Sequence, residues 1–236
     1  MNKSTLQLPA KGRRRLNLVY NSLAANYRSR EINMYKYEEE DEEEPKENQE
    51  QKEPRPRFNM QEKFLETRTI LIFGEINQKM AETVTQQLLL LSAISDEDIK
   101  IIINSQGGHV ESGDTIFDMI RFIKPRVKVI GTGWVASSGA LIYAAPPVEQ
   151  RYSLPNTRFL LHQPLAGIRG SAQDLAIEAQ EILRMRRRLN EIFARQTGQP
   201  LEKIERDSDR NFWMTADEAK EYGLVGHIIQ NIEEIK

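Results

Sequence analysis

The sequence predicts an α/β fold in which helices cover a parallel sheet, and three observations point there. Short runs of strand-forming apolar residues alternate with helix-like segments, the order that builds βαβ units. The strand candidates are almost continuously apolar, as expected of strands buried on both faces. After this alternation comes one amphipathic stretch long enough either to cover the sheet or to project from it toward a partner subunit.

The first strand candidate is "TILIFGEI", Thr69–Ile76, and a helix-like run follows over Gln78–Ile94. "IKIIINS", Ile99–Ser105, is the second strand. Val110–Lys124 then places Ile116, Met119, Ile120 and Ile123 at helical spacing. "VKVIGTG", Val127–Gly133, is the third strand, and "SSGALIYAA" opens a helix behind it. "RFLLH", Arg158–His162, is the fourth strand. The long helix runs over Ser171–Gln199, with Leu175, Ile182, Met185, Leu189, Ile192 and Phe193 as its apolar positions. Ser171 stands as its N-cap with Asp174 three residues on, and Gly198 marks its stop. If the helix projects, the face carrying Ile182, Met185 and Leu189 is expected to be covered by another subunit. No internal repeat is visible.

Residues 1–57 differ from the rest. No acidic residue occurs through Arg30, whereas "EEEDEEEPKENQEQKEPRPR", Glu38–Arg57, is acidic, proline-bearing and without a large apolar side chain. Such a block cannot bury enough surface to offset its ordering entropy. Residues 1–57 are therefore expected to be a charged, disordered extension, and residues 58–236 to be the folded domain. The basic, acid-free start also fits a partner-binding arm or a transit peptide.

The formal net charge of -2 provides no general attraction for nucleic acid or an anionic membrane. No apolar run approaches the roughly 18 residues a membrane span needs, and no secretory signal is expected. The chain has no cysteine, which excludes disulfides and thiolate chemistry and suits a cytoplasmic location. Histidine spacing gives no support to a metal, and no cofactor motif is present.

Chemistry is expected at the ends of successive strands, where open α/β sheets place their sites. "NSQGG", Asn104–Gly108, pairs two glycines after the second strand, and glycine lets backbone N–H groups approach a ligand closely. Ser137 and Ser138 occupy the turn after the third strand, between small residues. Small residues there serve close packing, or one hydroxyl is a nucleophile. A nucleophilic serine needs an adjacent base, and the chain has three histidines, His109, His162 and His227. His162 ends the fourth strand. His109 reads as a loop residue and His227 as a surface or core residue. Val135 stands where a Gly-x-Ser-x-Gly elbow would place its first glycine, which disfavours an α/β-hydrolase.

Taken in order, these pieces resemble the proteolytic subunit of the ATP-dependent Clp protease family (ClpP). The likeness runs from about Phe64 to Ile229 through "IIINSQGG", "FDMIRFIKPRVKVIGTGWVASSGA", "SLPNTRFLLHQPLAG" and "RQTGQPLEKIERDSDRNFWMTADEAKEYGLV". The resemblance implies a ClpP/crotonase-like fold of stacked βαβ units with a projecting handle helix, and two stacked seven-membered rings. It implies Ser137 as nucleophile, His162 as base, and the N–H groups of Gly108 and Ser138 as the oxyanion hole. The implied activity is a serine endopeptidase cleaving unfolded polypeptide inside a ring chamber served by a Clp-type AAA+ ATPase.

The sequence departs from the family pattern in several places. Ser138 replaces the usual methionine, Gln106 replaces the proline of Ser-Pro-Gly-Gly, and residues 1–57 stand in place of the short pore segment. Asn211 falls where the family has its third triad member, an aspartate, which implies reduced activity; Asp209 substitutes only if the loop shifts. A weakly active or inactive structural subunit of a hetero-oligomer is the alternative. A crotonase-type acyl-CoA enzyme would share the oxyanion architecture but needs no serine nucleophile.

Overall fold

The computed structural model describes residues 60–164, 167 and 169–236. The charged extension expected over residues 1–57, and the first two residues of the expected domain, lie outside the described residues. In chain order the elements begin with helix α1 (Met60–Glu66), strand β1 (Thr69–Ile76), α2 (Gln78–Ile94), β2 (Ile99–Gly108), α3 (Val110–Phe122), β3 (Val127–Ala136) and α4 (Ser138–Tyr143). They continue with β4 (Arg151–Ser153), β5 (Arg158–Leu161), α5 (Ala172–Thr197), α6 (Leu201–Asp207), β6 (Phe212–Met214), α7 (Ala216–Glu221) and β7 (His227–Ile228).

The strands form one sheet in the order β1-β2-β3-β4-β7, all parallel. Strand β3 changes partner along its length. Val129–Gly131 pair with β4, whereas Trp134–Ala136 pair in parallel with Arg158–Leu160 of β5. Strand β6 then adds to β5 in antiparallel register. Gly133, with φ +62°, sits at the change of partner. The split sends the second half of β3 alongside β5, and both chains leave the sheet on the same side.

The helices pack on one face of β1 and β2. Ala81, Val84, Leu88 and Leu91 of α2 and Ile116, Phe117 and Ile120 of α3 share a core with Ile70, Ile72, Ile101 and Ile103. On the other face Leu71 and Phe73 of β1 are exposed. The expectation of strands buried on both faces therefore fails at β1, where the chain supplies cover for one face only. Strand β2 also runs further than expected. The "NSQGG" segment stays in the ladder through Gly108, which pairs with Ile76.

Helix α5 keeps its expected caps. Ser171 Oγ accepts from the Asp174 N–H, Asp174 Oδ2 accepts from the Ser171 N–H, and Gly198 closes the helix at φ +73°. Its 26 residues span about 39 Å at 1.5 Å per residue. Only Leu189, Asn190, Ile192 and Phe193, near its C-terminal end, are buried, so the first half stands away from the core. The expected stacking face is corrected here. Leu189 is a core residue and Met185 packs against the core, while Leu175, Ile177 and Leu183 are the apolar side chains left exposed. Among the described residues no helix is long and apolar enough to cross a membrane.

Candidate active site

Three neighbouring parallel strands end side by side and carry the candidate residues. Ser137 follows β3, His162 follows β5, and Gly107 and Gly108 close β2. The register places Ala136 opposite Leu160, and the Ser137 N–H donates to the Leu160 carbonyl at 3.0 Å. Ser137 has φ +56° and ψ -123°, outside the regions a residue with a Cβ favours. That conformation reverses the chain sharply between strand and helix, and its strain is offset by bonds on both sides. Besides the Leu160 contact, the Ser137 carbonyl accepts from the Leu141 N–H at 3.1 Å.

Ser137, Ser138 and His162 line one cavity with Val110, Leu141, Leu161, Pro164, Leu189 and Phe193. The free space is about 20 Å³, close to the room one water needs. Among the described residues no hydrogen bond joins Ser137 Oγ to the imidazole, a looseness common in catalytic pairs without substrate. His162 is half-buried, and desolvation holds its pKa below the ordinary imidazole value. The neighbouring Asn211 side chain acts against that shift.

Asn211 is itself exposed and directly precedes β6. The loop that carries it is pinned to the end of β5. The Gln163 N–H donates to the Ser208 carbonyl and Gln163 Nε2 to the Asp209 carbonyl, each at 2.7 Å. Ser208 Oγ in turn donates to the buried Asn190 of α5 at 3.0 Å. Asp209, the other candidate for the third position, has its carboxylate engaged elsewhere, with Arg186 at 3.1 Å and Arg210 at 3.0 Å.

The two glycines have different surroundings. A Cβ on Gly107 would lie 2.6 Å from Ser137 Cβ and 2.7 Å from the Ala136 carbonyl oxygen, so only glycine lets β2 pass the serine at this distance. Gly108 presses on β1, where a Cβ would meet the Ile76 carbonyl at 2.2 Å. The Gly107 N–H is taken by Ser105 Oγ at 3.0 Å, and the His109 N–H by the Ile76 carbonyl at 2.8 Å. His109 lies at the start of α3, with Nδ1 2.9 Å from Ser112 Oγ, and His227 stacks on Tyr152. Neither lines the cavity.

A serine hydroxyl and an imidazole whose charged form burial disfavours, lining one largely apolar cavity, are parts of acyl transfer. The Clp protease family model matches residues 51–232. The chain belongs to the Clp protease family. It is a serine peptidase subunit of the Clp type. It is 58% identical to ATP-dependent Clp protease proteolytic subunit 3 of Rhizobium johnstonii over 175 residues, 74% of this chain and 90% of that one. Subunit 2 of Pseudomonas aeruginosa is 56% identical, over 75% of this chain and 88% of its own. Two solved structures of ClpP1 from Listeria monocytogenes are similar as well. One, a mutant with Asp in place of an Asn, is 56% identical with a TM-score of 0.71. The other is 55% identical with a TM-score of 0.69, and each covers 75% of this chain and 100% of the solved one.

Several contributors were not read from the sequence as Clp protease residues. Gly107 as the neighbour of Ser137, Gln163 as the anchor of the Asn211 loop, and Asn190 behind Ser208 emerge only in three dimensions. The paired glycines were the one available signal, and they marked a close backbone approach without saying to what. Arg151 was missed altogether. It is 1% exposed, and burial pushes its pKa down to about 10. Its guanidinium donates to the carbonyls of Pro146 (2.7 Å), Ala144 (2.9 Å) and Gln196 (2.8 Å) and to Gln196 Oε1 (2.6 Å). It thereby ties the end of α4, behind the serine turn, to the end of α5.

Proposed function

We infer that the chain cleaves unfolded polypeptide by a Ser137–His162–Asn211 mechanism. Ser137 Oγ adds to the peptide carbonyl as one nitrogen of His162 takes its proton. The other ring N–H donates to the Asn211 amide oxygen, which holds the tautomer. The N–H groups of Gly108 and Ser138 receive the oxyanion. Collapse expels the amine, protonated by His162, and leaves an ester on Ser137; water activated by the same imidazole then hydrolyses that ester. The substrate lies as an added strand, so that backbone pairing makes cleavage tolerant of sequence.

The observation that carries this reading is the parallel register of β3 and β5, which brings Ser137 and His162 to one cavity. Asn211 is the weak member. An amide holds geometry but adds no charge to stabilise imidazolium, so turnover is reduced relative to an aspartate at that place. The exposed apolar residues on the projecting half of α5 support stacking of rings, and a Clp-type ATPase would feed the resulting chamber in the cytoplasm.

The test is labelling of the purified protein with a fluorophosphonate. Labelling at Ser137, lost in Ser137→Ala, is expected. Ser138→Ala is expected to keep labelling and to lower peptidase activity only moderately, because alanine retains the backbone N–H. Equal and total loss in both variants, with folding intact, would overturn the assignment.

A further inference from the structure

An oxyanion donor must be held in one direction, yet the Gly108 N–H belongs to a Gly-Gly pair, and glycine is the most permissive residue. Gly107 has φ +94° and Gly108 has φ +153°. The β1–β2 register passes from Phe73 opposite Asn104 to Glu75 opposite Gly107. The β2–β3 register passes from Ile103 opposite Gly131 to Ser105 opposite Val135. Both ladders are therefore irregular at the residues that lead into the glycines.

Ser105 is fully buried and stands at this irregularity. Its hydroxyl donates to the carbonyl of Gly74, a β1 residue with no opposite number in the register, and accepts from the Gly107 N–H at 3.0 Å. One side chain thus bridges the two strands where their ladder skips. Beyond the pair, the His109 N–H donates to the Ile76 carbonyl at 2.8 Å. The peptide plane that carries the Gly108 N–H is clamped between these two bonds. Ser105 also packs beneath the start of α4: a Cβ on Gly139 would lie 3.3 Å from the Ser105 carbonyl oxygen and 3.6 Å from its Oγ. Gly139 directly follows Ser138, the other residue assigned an oxyanion donor.

We propose that Ser105 is a positioning residue for the oxyanion hole: its buried hydroxyl locks the Gly107 amide and so fixes the direction of the Gly108 N–H. The proposal rests on the reading of Ser137 as nucleophile and Gly108 as donor. It deepens that reading by naming the group that orders a donor built on two glycines. The donor acts most strongly once charge has developed on the attacked oxygen. Loss of the hydroxyl therefore weakens the transition state rather than the bound substrate.

The experiment compares Ser105→Ala with the unmodified chain on a short peptide and on the matching peptide aldehyde, whose adduct with the serine hydroxyl places its oxygen in the hole. In Ser105→Ala kcat should fall by about 10–100-fold, short of the roughly 10²–10³ lost when a donor is removed outright, with KM within about twofold. Affinity for the aldehyde should fall by a similar factor, while the acid limb of the pH profile, set by His162, stays in place. A general loosening of the site would instead raise KM and move the acid limb. If Ser105→Ala does not fold, Ser105→Thr is compared with Ser105→Val. These two share one shape, so the variant that keeps a hydroxyl should have the higher kcat and bind the aldehyde more tightly. Parent kcat and aldehyde affinity in Ser105→Ala, a loss confined to KM, or equal values for the threonine and valine variants would overturn the proposal. Absence of fluorophosphonate labelling at Ser137 in the unmodified chain would overturn the nucleophile reading and this proposal with it. Normal labelling there, alongside an unaltered Ser105→Ala, would overturn this proposal alone.

Discussion

The amide of Ser137 donates to the carbonyl of Leu160 across 3.0 Å, so the strand that ends in the serine is bonded to the strand that ends in the histidine. The distance between the two side chains is therefore set by sheet register rather than by loop conformation. A site placed on bonded strand ends is held more tightly than one placed on free loops.

Gly107 is the most exacting position beside the serine. Gly107→Ala would drive a Cβ into Ser137 Cβ and the Ala136 carbonyl, at a backbone φ of +94° that disfavours any side chain. Turnover on a short peptide should fall by roughly 100-fold or more, since small misplacements of a reacting group have costs of that order. Stability, followed by urea unfolding, should drop by about 1–3 kcal/mol from backbone strain alone. A variant with normal turnover would show that β2 can retreat from the serine.

Asn211→Asp should raise turnover by roughly one to three orders of magnitude, equivalent to about 1.4–4 kcal/mol of barrier. The gain belongs in kcat, because the charge interaction strengthens as imidazolium forms. A pH profile gives an independent readout. Burial holds the His162 pKa below the usual value of about 6.5, so the rate should rise with pH to a plateau reached early. A carboxylate at residue 211 favours imidazolium, so the acid limb should move to higher pH in the variant. Asp209→Ala should leave the profile in place, because that carboxylate faces Arg186 and Arg210. An unshifted acid limb in Asn211→Asp, with activity removed by Asp209→Ala, would make Asp209 the third member.

Arg151→Met should destabilise the fold by about 3–5 kcal/mol, by analogy with breaking a buried polar network. The carbonyls of Ala144, Pro146 and Gln196 would each lose a donor that no water can replace in a site 1% exposed. Chemical denaturation measures the change directly. A midpoint within error of the parent would show that these carbonyls find other donors.

Assembly should depend on the apolar residues that α5 leaves exposed. Ile177 and Leu183 are 59% and 62% exposed, so aspartate at each alters little within the chain itself. The double variant Ile177→Asp, Leu183→Asp should sediment as a smaller species than the parent while keeping its secondary structure. An unchanged sedimentation coefficient would mean that another surface joins the rings.

The sequence by itself determined the elements, because their signals are local. The apolar period marked α2 over Gln78–Ile94, and the Ser171–Asp174 capping box and Gly198 bounded α5. It also determined that a serine turn, a glycine pair and a terminal histidine would all stand at strand ends. Tertiary structure decided what those ends touch. The partner change along β3 selects β5 as the neighbour of Ser137, Gly107 rather than Gly108 presses on the serine, and Gln163 anchors the loop before β6 to the end of β5 while Asp209 binds Arg186. The burial of Leu189 and the packing of Met185, on a helix face that periodicity alone would offer to a partner, were decided there too. The physical reason is common to all of these. Propensity and capping act within a few residues of one segment, whereas register and contact depend on segments brought together from 20 or more residues apart, as Gly74 and Ser105 are by a bond across 31.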